Sequence, residues 1–109
     1  MNSNNQMPIT VWGPLGWDWL HNLAICYEKY PSENDAYEIF NKIQNFIEKL
    51  PCAICKNHAI SYITNNPINL TNNKGFQIWA WNFHNSVNIN TNKPFFSKFE
   101  YNLKYKQNI

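Results

Sequence analysis

The chain has 109 residues, a formal net charge of +2 and 17% aromatic side chains, which describes one domain with a modest core. The charge supplies no basic stripe of the kind nucleic-acid backbones require, and no apolar run approaches a membrane span. Met1 to Gln6 is polar and uncharged, unlike a secretory leader, so a cytosolic protein that binds neither nucleic acid nor membrane is expected.

In chain order, residues 1–10 read as a flexible N-terminal segment before a single domain that fills the rest of 1–109. Gly13-Pro14 is a helix-start signal, with proline at the first helical position. A helix from Leu15 to Tyr30 brings Trp17, Leu20, His21, Ala24 and Ile25 close to one face, and Pro31 closes it. Ser32 caps the next helix, with Asp35 three residues on in a capping-box pattern. That helix runs from Asn34 to Leu50, with Tyr37, Phe40, Ile43, Phe46, Ile47 and Leu50 as its core stripe. Pro51 breaks it.

A third helix is expected from Cys52 to Thr64, closed by Asn65, Asn66 and Pro67. A polar turn over Asn69 to Lys74 precedes a fourth, from Gly75 to Asn88. Lys93-Pro94 marks a loop, and Ser97 to Tyr105 forms a short fifth helix. With three glycines in the chain and no alternating strand pattern, the fold class is all-α: a four-helix bundle with a short fifth helix.

Chemistry concentrates at Pro51-Cys52-Ala53-Ile54-Cys55. A total of three cysteines is no secreted disulfide framework, and a close pair points to redox chemistry or to a metal. At a helix start, unpaired N–H groups and the helix dipole favour a thiolate, which disulfide exchange needs. A zinc site built from Cys52, Cys55, His58 and His84 stays open as the alternative, although a second closely spaced pair is lacking. Cys26 reads as a core residue in mid-helix. A lone buried histidine such as His21 ordinarily bonds a backbone carbonyl. Trp81, His84, Asn85 and Asn88 share one helix face that would suit a flat, hydrogen-bonding cofactor, and Lys93 could meet a phosphate.

The set Trp12-Gly13-Pro14-x-x-Trp17-x-x-Leu20-His21, Pro51-Cys52-x-x-Cys55-x-x-His58 and His84-Asn85-x-Val87-Asn88 followed by Lys93-Pro94 resembles the Erv/ALR-type FAD-linked sulfhydryl oxidases. The resemblance spans Trp12 to Tyr101 and is greatest to the small members encoded by large cytoplasmic DNA viruses. It implies FAD in the mouth of a helical bundle and a homodimer. The cofactor-binding set it implies is Gly13, Trp17, His21, Cys55, His58, Trp81, His84, Asn85, Val87, Asn88, Lys93 and Tyr101, with no metal.

The resemblance further implies that a dithiol protein exchanges with Cys52, and that Cys55, nearest the flavin, passes electrons on as a thiolate. O2 is then reduced to hydrogen peroxide. Many relatives add a shuttle cysteine pair and a structural disulfide near the C-terminus; neither has its cysteines here. Electrons are therefore expected directly from small thiols or from a thioredoxin-like relay protein, in the host cytoplasm or the virion.

Overall fold

The structure is a computed structural model that describes residues 9–109, with the side chains of residues 9–12, 14 and 15 outside the description. Residues 1–8, and so most of the segment read as a flexible N-terminus, also lie outside the described residues. The described residues form helices α1 (Ile9–Ile25), α2 (Glu33–Glu48), α3 (Ala53–Asn65), α4 (Asn73–Asn90) and α5 (Lys98–Tyr105). The first four make the bundle, with α1 packed on α4 and α2 on α3.

Each helix start has a local cause. Ser32 accepts from the Asp35 amide while the Asp35 carboxylate accepts from the Ser32 amide, and Ser97 and Glu100 repeat that reciprocal box on α5. Such a cap is worth about 1 kcal/mol. Asn72 caps α4 through the Gly75 amide. Cys52 caps α3, its sulfur accepting from the Cys55 amide at 3.2 Å.

The first helix differs from expectation at both ends. Ile9, the first described residue, is already helical, so Gly13-Pro14 lies inside the helix and does not mark its start. It stops at Ile25, five residues before Tyr30, because Asn73 reaches across from α4. The Asn73 amide donates to the carbonyls of Ala24, Ile25 and Tyr27 at 3.0, 2.6 and 3.1 Å, giving the open helix end the donors it needs. Cys26 therefore falls just beyond the helix and is exposed, contrary to its reading as a mid-helix core residue.

The core comprises Leu20, Ala24 and Tyr27, then Ile39, Ile43 and Ile47 of α2, Ala59 of α3, and Phe76, Trp79 and Ala80 of α4. The buried stripe of α2 is thus the isoleucine series at every fourth residue. Tyr37 and Phe40, expected in that stripe, are 65% and 40% exposed. Full burial of one such isoleucine favours the fold by about 1.5–3 kcal/mol, so the isoleucines outcompete the amphipathic tyrosine for the inner face.

Candidate functional site

A cleft opens between the four bundle helices. Its walls include Gly13, Gly16, Trp17 and Leu20 of α1, Phe46 of α2, Ile54, Cys55 and His58 of α3, and Phe83, Val87 and Asn88 of α4. Lys93 stands on its wall from the loop after α4. The cleft encloses a cavity of about 230 Å³, a little below the usual range of small-molecule sites. A Cβ at Gly16 would meet the Phe46 ring at 3.1 Å, so a larger residue there would narrow the space between α1 and α2.

The two sulfurs are not equivalent. Cys55 faces the cleft and Cys52 does not, and both are free thiols. The hydrogen bond from the Cys55 thiol, followed by that from the Cys55 amide, draws the Cys52 pKa down. Burial, then the same thiol contact, pushes Cys55 up to about 11. The lowering expected at the helix start therefore falls on Cys52, while in the dithiol state Cys55 holds its proton at neutral pH.

Behind the cleft wall lies a cluster of rings. Trp17 stacks on His84 with centroids 4.0 Å apart and planes within 8°. His21, fully buried, faces His84, with its Nε2 2.9 Å from His84 Nδ1. His21 therefore bonds a second imidazole, not the backbone carbonyl expected of a lone histidine. Tyr101 and Tyr105 close the cluster, their ring centroids 5.3 and 5.1 Å from that of His21. Burial brings His21 down to about 3 and His84 to about 4, so both are neutral at pH 7. Burial also raises Tyr101 to about 12. The Tyr105 hydroxyl donates to Asp18 at 2.6 Å, and this bond lowers the Asp18 carboxyl.

Of the expected site residues, Gly13, Trp17, Cys55, His58, Val87, Asn88 and Lys93 line the cleft. His21, His84 and Tyr101 lie in the ring cluster behind it. Trp81 and Asn85 point elsewhere. The Asn85 amide donates to the Phe96 carbonyl at 2.9 Å and accepts from the Phe96 amide at 2.7 Å, while Trp81 Nε1 donates to the same carbonyl at 2.7 Å. The helix face expected to present four polar groups to one ligand is thus divided between the cleft, the rings and the loop. The Tyr101 hydroxyl is also committed, donating to Gln77 at 2.7 Å.

Sequence reasoning missed Gly16, Leu20, Phe46, Leu50, Ile54, Ala59, Phe83, Asn90 and Thr91 as cleft residues. Of these, Phe83 carried a signal, since it lies four residues before Val87 and shares its face. Cys52, Cys55, His58 and His84 form no metal-binding group, and among the described residues no three His, Cys, Asp or Glu side chains do. His58 is bonded to Ser86 and Asn90, and His84 to His21.

Residues 15–107 match the Erv1 / Alr family. The chain belongs to that family. It is 46% identical over 98 residues to the FAD-linked sulfhydryl oxidase of African swine fever virus, covering 90% of this chain and 82% of that one. It is 35% identical over 86 residues to a putative FAD-linked sulfhydryl oxidase of Invertebrate iridescent virus 3, covering 77% of this chain and 58% of the other. The fold superposes on the yeast Erv1 core with a TM-score of 0.85 at 23% identity, covering 97% of this chain and 90% of that one. The FAD-binding domain of Erv1 from Saccharomyces cerevisiae gives 0.84 at 25% identity, covering 93% and 96%.

Proposed function

We infer that this family member works as an FAD-linked thiol oxidase that forms disulfides in dithiol substrates. The observation that carries the reading is Cys55 facing a cleft walled by Trp17, Phe83 and Lys93, with its partner Cys52 turned out of it. The residues fit the cofactor. The stacked Trp17–His84 pair offers a flat aromatic surface, and Lys93 is the one cation on the cleft wall among the described residues. His21 Nδ1 is buried with no hydrogen-bond partner among the described residues, an unpaired polar atom in the ring cluster behind the cleft. FAD, when bound, supplies a two-electron carrier able to react with O2.

The protein's own part follows from the two sulfurs. A substrate thiolate attacks Cys52 Sγ of the oxidised pair, the bond to Cys55 Sγ breaks, and a mixed disulfide forms. The second substrate thiolate then displaces Cys52, leaving an oxidised substrate and the reduced pair. Reoxidation of that pair releases two electrons and two protons, so the sum is one dithiol plus O2 giving one disulfide plus hydrogen peroxide. Holding Cys55 in the cleft and Cys52 outside it keeps the two exchanges apart.

Gly13, Trp17, His21, Cys55, His58, His84, Val87, Asn88, Lys93 and Tyr101 are assigned to the cofactor side, with Trp81 and Asn85 supporting it through the loop. The same reading takes residues 1–109 as one oxidase domain, working as a homodimer in the host cytoplasm or virion. Small thiols or a thioredoxin-like relay protein would be the electron donor. Exposed Tyr37 and Phe40 on α2 supply apolar surface for self-association, which light scattering measures. The central test is an absorption spectrum of the purified protein together with oxygen uptake on adding dithiothreitol. A colourless protein that takes up no FAD would sink the reading.

A further inference from the structure

His58 follows Cys55 by one turn of α3, and both of its ring nitrogens are engaged by α4. Asn90 Nδ2 lies 2.6 Å from Nδ1, and Ser86 Oγ lies 3.1 Å from Nε2. An amide nitrogen donates and does not accept, so with the Asn90 amide oriented this way Nδ1 accepts and the ring proton sits on Nε2, directed at the serine oxygen. No ring lone pair is left over for the proton that Cys55 must lose. Ser86 and Asn90 are four residues apart, on one face of α4, and the imidazole bridges from them to the cysteine helix.

The rest of α3 is thinly held. Ala59 is its one buried residue, and it packs on the core with Tyr62 and Ile63, Tyr62 against Trp79 and Phe83 and the His58 ring against Phe83. Apolar contacts of this kind are non-directional and leave rotation and register free to drift. Trp79 Nε1 bonds the Asn66 carbonyl at the far end of α3. At the cysteine end, beside the packing of α3 on α2, the two bonds of His58 are the directional side-chain contacts to α4.

We propose that His58 is a positioning residue, clamped by Ser86 and Asn90, that fixes the height and rotation of Cys55 in the cleft. The proposal rests on the thiol-oxidase reading and gives Ser86 and Asn90 a part in it. The ring acts through its shape and its two hydrogen bonds, and does not exchange a proton with the sulfur.

The test compares His58→Asn, His58→Gln and His58→Ala in the flavin-loaded full chain. An asparagine oxygen can stand where Nδ1 stood, and a glutamine nitrogen can reach the place of Nε2, but neither amide takes up a proton. His58→Ala should lower kcat by roughly 10- to 100-fold, the cost of a misplaced reacting atom, with KM for dithiothreitol nearly unchanged. The two amides should recover most of the rate, and the double variant Ser86→Ala/Asn90→Ala should match the alanine. In the reduced protein, without turnover, His58→Ala should raise iodoacetamide labelling of Cys55 several-fold while leaving Cys52 unchanged.

Amide variants as slow as the alanine would make His58 an acid–base group and overturn the clamp. An alanine variant with native kcat and native Cys55 labelling would overturn it as well. If His58→Ala does not fold, the Ser86 and Asn90 variants, which leave the imidazole in place, decide by the same two readings. A native protein without flavin or oxygen uptake would instead sink the oxidase reading, while the labelling of Cys55 would still judge the clamp.

Discussion

The two halves of the bundle are built to different standards. Where α1 meets α4, His21, Ala24, Phe76 and Ala80 are completely buried, rings contact rings, and polar side chains are paired across the interface. Where α3 carries the cysteines, one residue is buried, and Ile54, between the sulfurs, is 81% exposed. A platform that must present many fixed groups at once needs redundancy. A dithiol that must meet a large substrate needs access, and gives up packing to obtain it.

Breaking the exposed half at its sulfur gives the largest expected effect. Cys55→Ser should cut oxygen uptake with dithiothreitol by on the order of 10³-fold or more, while flavin absorbance stays at the native ratio. Loss of flavin along with activity would mean that Cys55 holds the cofactor more than it handles electrons.

Acid should undo the platform first. His21 is buried and neutral with its pKa near 3, below the value of about 6.5 in the unfolded chain. The unfolded state thus binds a proton that the folded state refuses. The stabilisation is complete above pH 6.5 and is lost as pH falls towards the folded value. At pH 5, His21 alone should have withdrawn about 2 kcal/mol, and His84, lowered to about 4, adds to this. Urea unfolding at pH 7.5 and pH 5 checks it; equal stabilities would show that the rings are not buried as described.

Asn85→Ala is next. It removes both bonds to the Phe96 backbone and leaves the Phe96 amide without its partner, at a cost of about 2–3 kcal/mol read by thermal unfolding. A change under about 0.5 kcal/mol, the range of ordinary surface substitutions, would mean that the loop after α4 needs no brace. The smallest effect is expected of Cys26→Ser. The side chain is exposed just past α1, so stability should move by no more than about 0.5 kcal/mol, with turnover unchanged. A larger loss would place this thiol in the reaction.

Much of this contrast was legible in the residues. The proline breaks, the two capping boxes and the spacing of Cys52 and Cys55 are local signals, and the bundle with its fifth helix follows from them. What spacing cannot carry is which partner a side chain finds. Asn73 reads as part of a polar turn, yet its amide across the bundle sets where α1 ends and so exposes Cys26. Asn85 reads as a ligand group, since a buried amide needs partners, but those partners are the Phe96 backbone. Tyr37 and Phe40 have the period of α2, but its inner face turns by the one or two positions that put isoleucines inward. In each case a tertiary contact decided between readings that the local pattern left equal.

The pairing of Asn85 with Phe96 bears on how this protein can change length. A side chain here acts as a rung of a β-ladder, bonding both the N–H and the C=O of one residue in the loop. Lys93 is tied at the near end, its amide donating to the Asn88 carbonyl at 2.8 Å, which leaves two residues between the fixed points. The segment from Lys93 to Phe96 is therefore closed to insertion. One added residue there would have to bulge out or release the rung. The turn between α1 and α2 is pinned at Tyr27, but Glu28 to Tyr30 beyond it are exposed, and that is where drift in length should accumulate among sequences that keep this chemistry.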